Sequence, residues 1–163
     1  MPCFEIRKDH RVEFWETDAA GVVYFANFHR LMDTAMMEFF ASLPVSLPLR
    51  EYWGGLGSQG YDWVVIDNGC RFLGNCGFGD TLRMHLWVTK RTQRTLHFAC
   101  AFRKNDRPEE IARGYLVACS TQRRDGATRA VPPLPEVAAQ IGVAPWEVGQ
   151  ASSLSRGRTT DER

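Results

Sequence analysis

The sequence lacks the features that would place it outside the ordinary globular proteins. Its 163 residues contain no apolar run near the roughly 20 residues that span a bilayer, so we expect no membrane anchor. The formal charge is only +1, which gives no reason to expect binding to nucleic acid or to an anionic membrane surface. The first residues lack the basic and apolar regions of a secretory signal. A cytoplasmic location is therefore predicted.

Cysteine and histidine are too few and too scattered for a disulfide framework or a metal site. The five cysteines are odd in number and form no CxxC pair, and the four histidines form no pair with zinc-ligand spacing. Cys100 and Cys119 fall in strand-like segments, where a thiol packs as a small apolar filler. No glycine-rich phosphate loop is present either. We expect reduced cysteines, no metal and no separate cofactor.

The most informative segment runs from Glu16 to Phe28, with the sequence Glu-Thr-Asp-Ala-Ala-Gly-Val-Val-Tyr-Phe-Ala-Asn-Phe. A single carboxylate, Asp18, lies in an uncharged turn, where Gly21 and two alanines let a ligand approach the backbone. The helix just beyond offers unpaired N–H groups that polarise a carbonyl. This arrangement suits the cleavage of an acyl bond. An Asp near a helix start is as often only a cap or turn former, so the residues alone leave both roles open.

A strongly amphipathic helix is predicted after this turn. It begins at Phe28, with Asn27 as its N-cap, and it ends before Pro44. Apolar residues recur at the i, i+3, i+4, i+7 spacing of one wide buried stripe. The stripe comprises Phe28, Leu31, Met32, Ala35, Met36, Phe39 and Phe40.

Strand-like segments lie on both sides of this helix in the sequence. Residues 10–17 alternate as a half-buried strand, with Val12 and Phe14 on one face. Four more segments follow the helix and are joined by turn residues, at 62–72, 81–91, 94–103 and 110–121. One long helix followed by an antiparallel run predicts an α+β fold, with the helix covering one sheet face.

The chain length suits one domain with a single core. We assign that domain to residues 1–145 and expect the polar tail at 146–163 to be disordered. The loop at 44–60 is rich in proline and glycine but too apolar to meet only solvent. It either caps the core or lines an acyl pocket. Its large apolar residues are Leu47, Leu49, Tyr52, Trp53 and Leu56.

The turn and the helix start carry a family resemblance. The pattern Asp-x-x-Gly-Val-Val-Tyr-x-x-Asn, from Asp18 to Asn27, resembles the signature of the hotdog-fold acyl-CoA thioesterases, most closely the 4-hydroxybenzoyl-CoA thioesterase type. Looser similarity extends over residues 8–140. The resemblance implies a hotdog fold, in which a curled antiparallel sheet wraps one long central helix. It also implies a homodimer or homotetramer with active sites at the dimer interface.

The resemblance implies roles for the motif residues. Asp18 would be the catalytic carboxylate, acting as nucleophile or as base for water, and the backbone N–H of Phe25 would be the oxyanion donor. A thioester leaves as a thiolate of pKa about 8.5, so its departure needs little proton donation. For two of these residues the sequence leaves a structural role open: Tyr24 as a core residue and Asn27 as the helix cap. The expected substrate contacts are Gly21, Val22, Tyr24 and Asn27.

Phe25 departs from many bacterial relatives of this motif, which carry histidine there. The change removes an acid–base partner and makes the site more apolar. In this respect the chain resembles the aromatic acyl-CoA branches, which include the 4-hydroxybenzoyl and 1,4-dihydroxy-2-naphthoyl enzymes. An aromatic acyl-CoA is the predicted substrate, with short aliphatic acyl-CoA left open.

Coenzyme A carries phosphates, which require arginine or lysine near the cleft mouth. The turn from Lys90 to Thr95 supplies a basic cluster, and the family's nucleotide contacts lie in the same turn. Lys90, Arg91 and Arg94 are therefore predicted to hold the nucleotide. The alternative is an ordinary solvated hairpin end.

Two other functions compete with thioester hydrolysis. A hotdog-type hydratase or dehydratase needs a catalytic histidine paired with a carboxylate, whereas His10, His85 and His97 fall in strand-like segments without a recognisable motif. A non-catalytic acyl-CoA binder would bind the same ligand and leave it intact.

Overall fold

Six strands and two α-helices make up the described part of the chain, which in this computed structural model comprises residues 2–45 and 60–145. The strands form one antiparallel sheet in the order β1-β3-β4-β5-β2, with β6 paired to β5. The strands are β1 (Glu5–Arg11), β2 (Tyr61–Phe72), β3 (Thr81–Arg91), β4 (Thr95–Lys104), β5 (Glu110–Arg124) and β6 (Ala127–Ala130). The helices are α1 (Phe25–Ala41) and α2 (Pro135–Gln140).

Helix α1 packs its apolar stripe against the sheet. Every residue of the predicted stripe is at most 3% exposed. Aromatic edge contacts join the two layers, with ring centroids 5.1 Å apart for Phe28 and Phe102 and 5.3 Å apart for Phe39 and Phe98. A Cβ at position 114 would lie 2.2 Å from the sulfur of Met32, so Gly114 lets the helix approach β5 closely. A curled antiparallel sheet around one long helix confirms the predicted hotdog fold.

The first strand lies earlier than predicted. It spans Glu5–Arg11 rather than residues 10–17, and Phe14 belongs to a short 3-10 turn with its side chain 75% exposed. The less exposed positions of β1 include Lys8 and His10, which form ion pairs with Glu38 and Glu16. Because charged residues occupy this face, the strand lacks the apolar alternation that identifies strands in a sequence.

Helix α1 begins three residues before the predicted start. Its N-cap is Tyr24, and Asn27 lies inside the first turn, so the prediction of Asn27 as the cap is wrong. The helix ends at Ala41, before Pro44, as predicted.

The remaining predictions fall partly outside the described residues. Strands β2 to β5 confirm the four predicted segments to within three residues at each end, and β6 is an additional short strand. Most of the apolar loop, at 46–59, and the tail, at 146–163, lie outside the described residues. No helix in the described ranges is long and apolar enough to cross a membrane.

Candidate active site

A tight turn between the 3-10 turn and α1 presents Asp18. The Asp18 N–H donates to the Val22 carbonyl (2.8 Å), and the Gly21 N–H donates to the Asp18 carbonyl (2.9 Å). Gly21 has φ +75°, a left-handed conformation that favours glycine. The Asp18 Oδ1 accepts the Ala20 N–H at 2.8 Å, while Oδ2 has no hydrogen-bond partner among the described residues. One carboxylate oxygen therefore shapes the turn and the other is free for chemistry.

Main-chain contacts hold this turn against the 76–77 segment. The Val23 N–H donates to the Cys76 carbonyl (2.8 Å), and Val22 forms a β-bridge with Gly77. A Cβ at position 77 would lie 2.7 Å from the Gly21 carbonyl oxygen. Only glycine at position 77 therefore allows the turn to lie this close to its neighbour.

The start of α1 supplies free donors beside the turn. The N–H groups of Phe25 and Ala26 have no hydrogen-bond partner among the described residues, whereas the Asn27 N–H donates to the Tyr24 carbonyl (2.9 Å). The partial positive charge at a helix N-terminus adds to the attraction for an oxyanion. The first turn of α1 can therefore stabilise negative charge that develops on a carbonyl oxygen.

Asp18 and Phe25 line the same cavity of about 210 Å³. Apart from Asp18, only Asn75 has a strongly polar side chain among the described residues that line it. Burial, reinforced by the Asp80 carboxylate, raises the pKa of the lining Cys76 thiol to about 11, so it is not a nucleophile at neutral pH. The described residues that line the cavity are Asp18, Val22, Val23, Phe25, Phe28, Phe72, Gly74, Asn75 and Cys76.

Of the four residues predicted to contact the substrate, only Val22 lines this cavity. Gly21 forms the turn, and Tyr24 and Asn27 lie outside the lining. The Tyr24 side chain is partly exposed, with its ring centroid 4.5 Å from that of Phe25, so Tyr24 is not a core residue. The Asn27 side-chain amide donates to the Glu16 carbonyl at 2.9 Å. Asn27 therefore fixes the helix start to the preceding turn.

Sequence reasoning missed the buried carboxylate of Glu16, which is 1% exposed. It accepts hydrogen bonds from His10 Nε2 (2.7 Å), from the Glu13 N–H (2.9 Å) and from Arg30. Burial alone would raise the pKa of Glu16, but these hydrogen bonds and the His10 and Arg30 charges outweigh it and hold the pKa below its usual value. No local sequence pattern distinguishes a buried glutamate from an exposed one.

The structure does not bring the basic turn to Asp18 within one chain. Strand β3 begins at Thr81, shortly after the 76–77 segment that contacts the Asp18 turn. Lys90 and Arg91 lie at the other end of this strand, about 30 Å away. The Arg91 guanidinium donates to the carbonyls of Ala138 (2.5 Å) and Ile141 (3.0 Å), at the end of α2. Lys90 and Arg94 are exposed.

No group of three or more His, Cys, Asp or Glu side chains within the described ranges is placed to hold a metal ion.

The chain is similar to several known proteins. A putative esterase of Aquifex aeolicus is 29% identical over 98 residues, which cover 59% of this chain and 70% of that protein. The structure of 4-hydroxybenzoyl-CoA thioesterase from Pseudomonas sp. strain CBS-3 superposes with a TM-score of 0.74 at 16% identity, covering 84% of this chain and 99% of that one. A 1,4-dihydroxy-2-naphthoyl-CoA thioesterase from Synechocystis gives a TM-score of 0.68 at 18% identity, with 83% and 93% covered.

These structural likenesses establish the fold. The family itself is shown by a sequence model, that of the thioesterase-like superfamily, which matches residues 12–141 and so includes the Asp18 turn, α1 and most of the sheet. The expectation of a thioester-hydrolase family is thereby confirmed, and the chain belongs to the thioesterase-like superfamily.

Proposed function

We propose that this protein is an acyl-CoA thioesterase, which hydrolyses an acyl-CoA to the free acid and coenzyme A. One observation carries the proposal: Asp18, with a free carboxylate oxygen, and Phe25, with a free N–H, line the same small cavity. These are the two groups that thioester cleavage requires. A base or nucleophile starts the reaction, and a donor stabilises the oxyanion.

The reaction follows from this arrangement. The thioester carbonyl oxygen would accept the Phe25 N–H, which stabilises the charge that develops on addition to the carbonyl carbon. Asp18 would either add to that carbon itself or take a proton from the attacking water. Collapse of the tetrahedral species expels the CoA thiolate, a leaving group that needs no strong acid. Where Asp18 itself adds, the acyl group is left on Asp18 as an anhydride, and a water then hydrolyses this anhydride and restores the carboxylate. On either route one water is consumed, the thiolate takes up a proton, and one carboxylic acid and one thiol are formed.

The cavity lining favours an aromatic acyl group. Phe25, Phe28 and Phe72 provide aromatic walls, against which an aromatic ring packs with favourable edge or offset contacts. No histidine occurs among the described lining residues, and the nearby His10 is bonded to Glu16. This supports hydrolysis over the hydration chemistry for which a catalytic histidine is expected.

The sheet edge supports self-association. β2 is an edge strand of 12 residues, paired only with β5 among the described strands. It exposes Val64 and Ile66, a combination that soluble monomers avoid on a long edge. We propose that two copies join their β2 strands antiparallel about a twofold axis, as a homodimer or as half of a homotetramer.

This pairing would complete the substrate site. The Phe72 end of β2 lies at the Asp18 cavity. At the Tyr61 end, Trp63 lines a second cavity together with residues of the turn that follows β3. Antiparallel pairing sets the Phe72 end of one copy beside the Tyr61 end of the other. The distance between Asp18 and the basic turn within one chain is then no obstacle, because the turn of the second copy would hold the CoA phosphates. Lys90 and Arg94 are the available cations, since Arg91 is bonded to α2.

The direct test measures free thiol released from a panel of aromatic and aliphatic acyl-CoAs, with bound ligand measured in parallel by calorimetry. We expect thiol release, with the highest kcat/KM for an aromatic member. Binding without thiol release would indicate a non-catalytic binder. Hydration of an unsaturated acyl chain, with the thioester intact, would indicate the hydratase alternative.

A further inference from the structure

Glu16 is the least exposed charged residue among the described residues, and none of the catalytic roles above uses it. Burying a carboxylate is costly unless several donors compensate for the lost water. Glu16 has three donors, each from a different part of the chain. His10 lies near the end of β1, Arg30 lies on α1, and the Glu13 N–H precedes the 3-10 turn.

The main chain of Glu16 makes a second set of contacts. Its carbonyl accepts the Tyr24 N–H (2.9 Å) and the side-chain amide of Asn27 (2.9 Å). The hydrogen bond from Tyr24 closes the loop that contains Asp18, because Glu16 and Tyr24 lie at its two ends. Phe25, the proposed oxyanion donor, is the next residue after Tyr24.

We infer that Glu16 is the positioning residue of this site: its buried carboxylate, held by His10 and Arg30, fixes the Asp18 loop relative to the first turn of α1. The inference rests on the proposed thioester hydrolysis. Without its charge, Glu16 loses its strong attraction for Arg30. The contacts of the Glu16 carbonyl then hold the loop alone, and the loop can shift relative to the helix start. Hydrolysis is sensitive to such shifts, since a displacement of about 1 Å costs up to about 100-fold in rate.

The contacts predict a selective kinetic effect. The Glu16 side chain is not part of the cavity lining, so it contributes little to binding the acyl group. It acts on the geometry in which Asp18 and the Phe25 N–H meet the thioester. Loss of its charge should therefore lower kcat and leave KM nearly unchanged.

The test is Glu16→Gln, which keeps size and acceptor oxygen but removes the charge. We expect kcat to fall about 10-fold to 100-fold with KM within about twofold of the parent. The matched control is Glu5→Gln. Glu5 also accepts a hydrogen bond from a histidine, His85 Nε2 at 2.7 Å, but nowhere near the cavity. Glu5→Gln should leave kcat unchanged even if it lowers the stability of the protein.

A double-mutant cycle separates positioning from general stability. If Glu16 acts through Asp18, Glu16→Gln should cause little further loss of kcat in an Asp18→Asn background, because the group that it positions is already disabled. An equal loss in both backgrounds would refute the inference, and so would a parental kcat in the single variant. If Glu16→Gln does not fold, Arg30→Gln replaces it. Arg30→Gln leaves Glu16 with His10 and the Glu13 N–H as donors, so we expect this variant to fold and to show the same kcat-selective pattern.

The failure of this inference differs from the failure of the proposed function. A parent protein that releases no thiol from any acyl-CoA would refute the function itself. An active parent with an unaffected Glu16→Gln variant would refute only the role of Glu16.

Discussion

If each site takes Asp18 from one chain and Arg94 from the other, two separately defective variants should restore activity when they are combined. Asp18→Asn keeps the oxygen that accepts the Ala20 N–H, so the turn should persist. Its kcat should fall at least about 100-fold, as expected for the loss of a general base. Arg94→Ala removes an exposed side chain from the basic turn. Its KM should rise about 10-fold to 150-fold, since one charge-assisted hydrogen bond contributes about 1.5–3 kcal/mol.

The expected recovery follows from the symmetry of the proposed dimer. Random association of equal amounts of the two variants gives about half heterodimers, each with one doubly altered site and one unaltered site. The mixture should therefore reach about one quarter of the parental activity per chain at substrate concentrations well below KM, and heterodimers purified away from the homodimers should reach about one half. Either variant alone should stay at or below about one tenth.

The assay uses the two variants with different affinity tags, unfolded together, refolded and purified through both tags in turn. Thiol release from the doubly tagged dimers is compared with that from each variant refolded alone. Activity equal to the mean of the two separate variants would refute the shared site. It would also show that Asp18 and Arg94 do not meet across this interface.

Three further predictions concern the turn and the groups around it. Gly77→Ala should lower kcat about 10-fold or more in a folded protein, because its Cβ would displace the Gly21 carbonyl, 2.7 Å away; parental kinetics with an unchanged circular dichroism spectrum would contradict this. The folded pKa of Glu16 is lowered, so its stabilising contribution is present above its unfolded pKa and is lost as the pH falls through the folded value. The free energy of urea unfolding should therefore fall more steeply for the parent than for Glu16→Gln between about pH 5 and pH 3, and parallel curves would exclude this role. Cys76, whose pKa is about 11, should not react with a thiol reagent at pH 8 until the protein is denatured; rapid labelling of native Cys76 would show that the thiol is accessible.

Two kinds of element could be predicted from the sequence. The α1 stripe and strands β3 and β4 place buried apolar residues at regular intervals, and β2 and β5 carry short apolar runs bounded by turn residues. β1 is not readable in this way, because Lys8 and His10 lie on its less exposed face and obtain their partners from distant parts of the chain. A charge buried by a long-range ion pair resembles a solvated charge when only the sequence is known.

The candidate site likewise contains residues that a local motif reveals and residues that only long-range contacts reveal. Asp18 and Phe25 could be selected from the sequence because they belong to one short contiguous motif. Glu16 belongs to the same run, but its importance depends on His10 and Arg30, and no local pattern relates these residues. Arg91 is predicted from the basic turn as a nucleotide contact, but its guanidinium donates to two carbonyls at the end of α2. These acceptors lie about 50 residues later in the chain, so the sequence alone does not reveal the contact.

The hydrogen bonds that hold the Asp18 turn have a consequence for how this protein can change its substrate. Most are made by main-chain atoms, such as the Val23 N–H to the Cys76 carbonyl and the Tyr24 N–H to the Glu16 carbonyl. The cavity walls, in contrast, are side chains, among them Phe72 and Asn75. Substitution of a wall residue alters the shape of the cavity but leaves the main-chain frame intact. Under the proposed function, natural divergence or directed evolution can therefore change the acyl specificity at the walls while Asp18 and the helix donors stay in place.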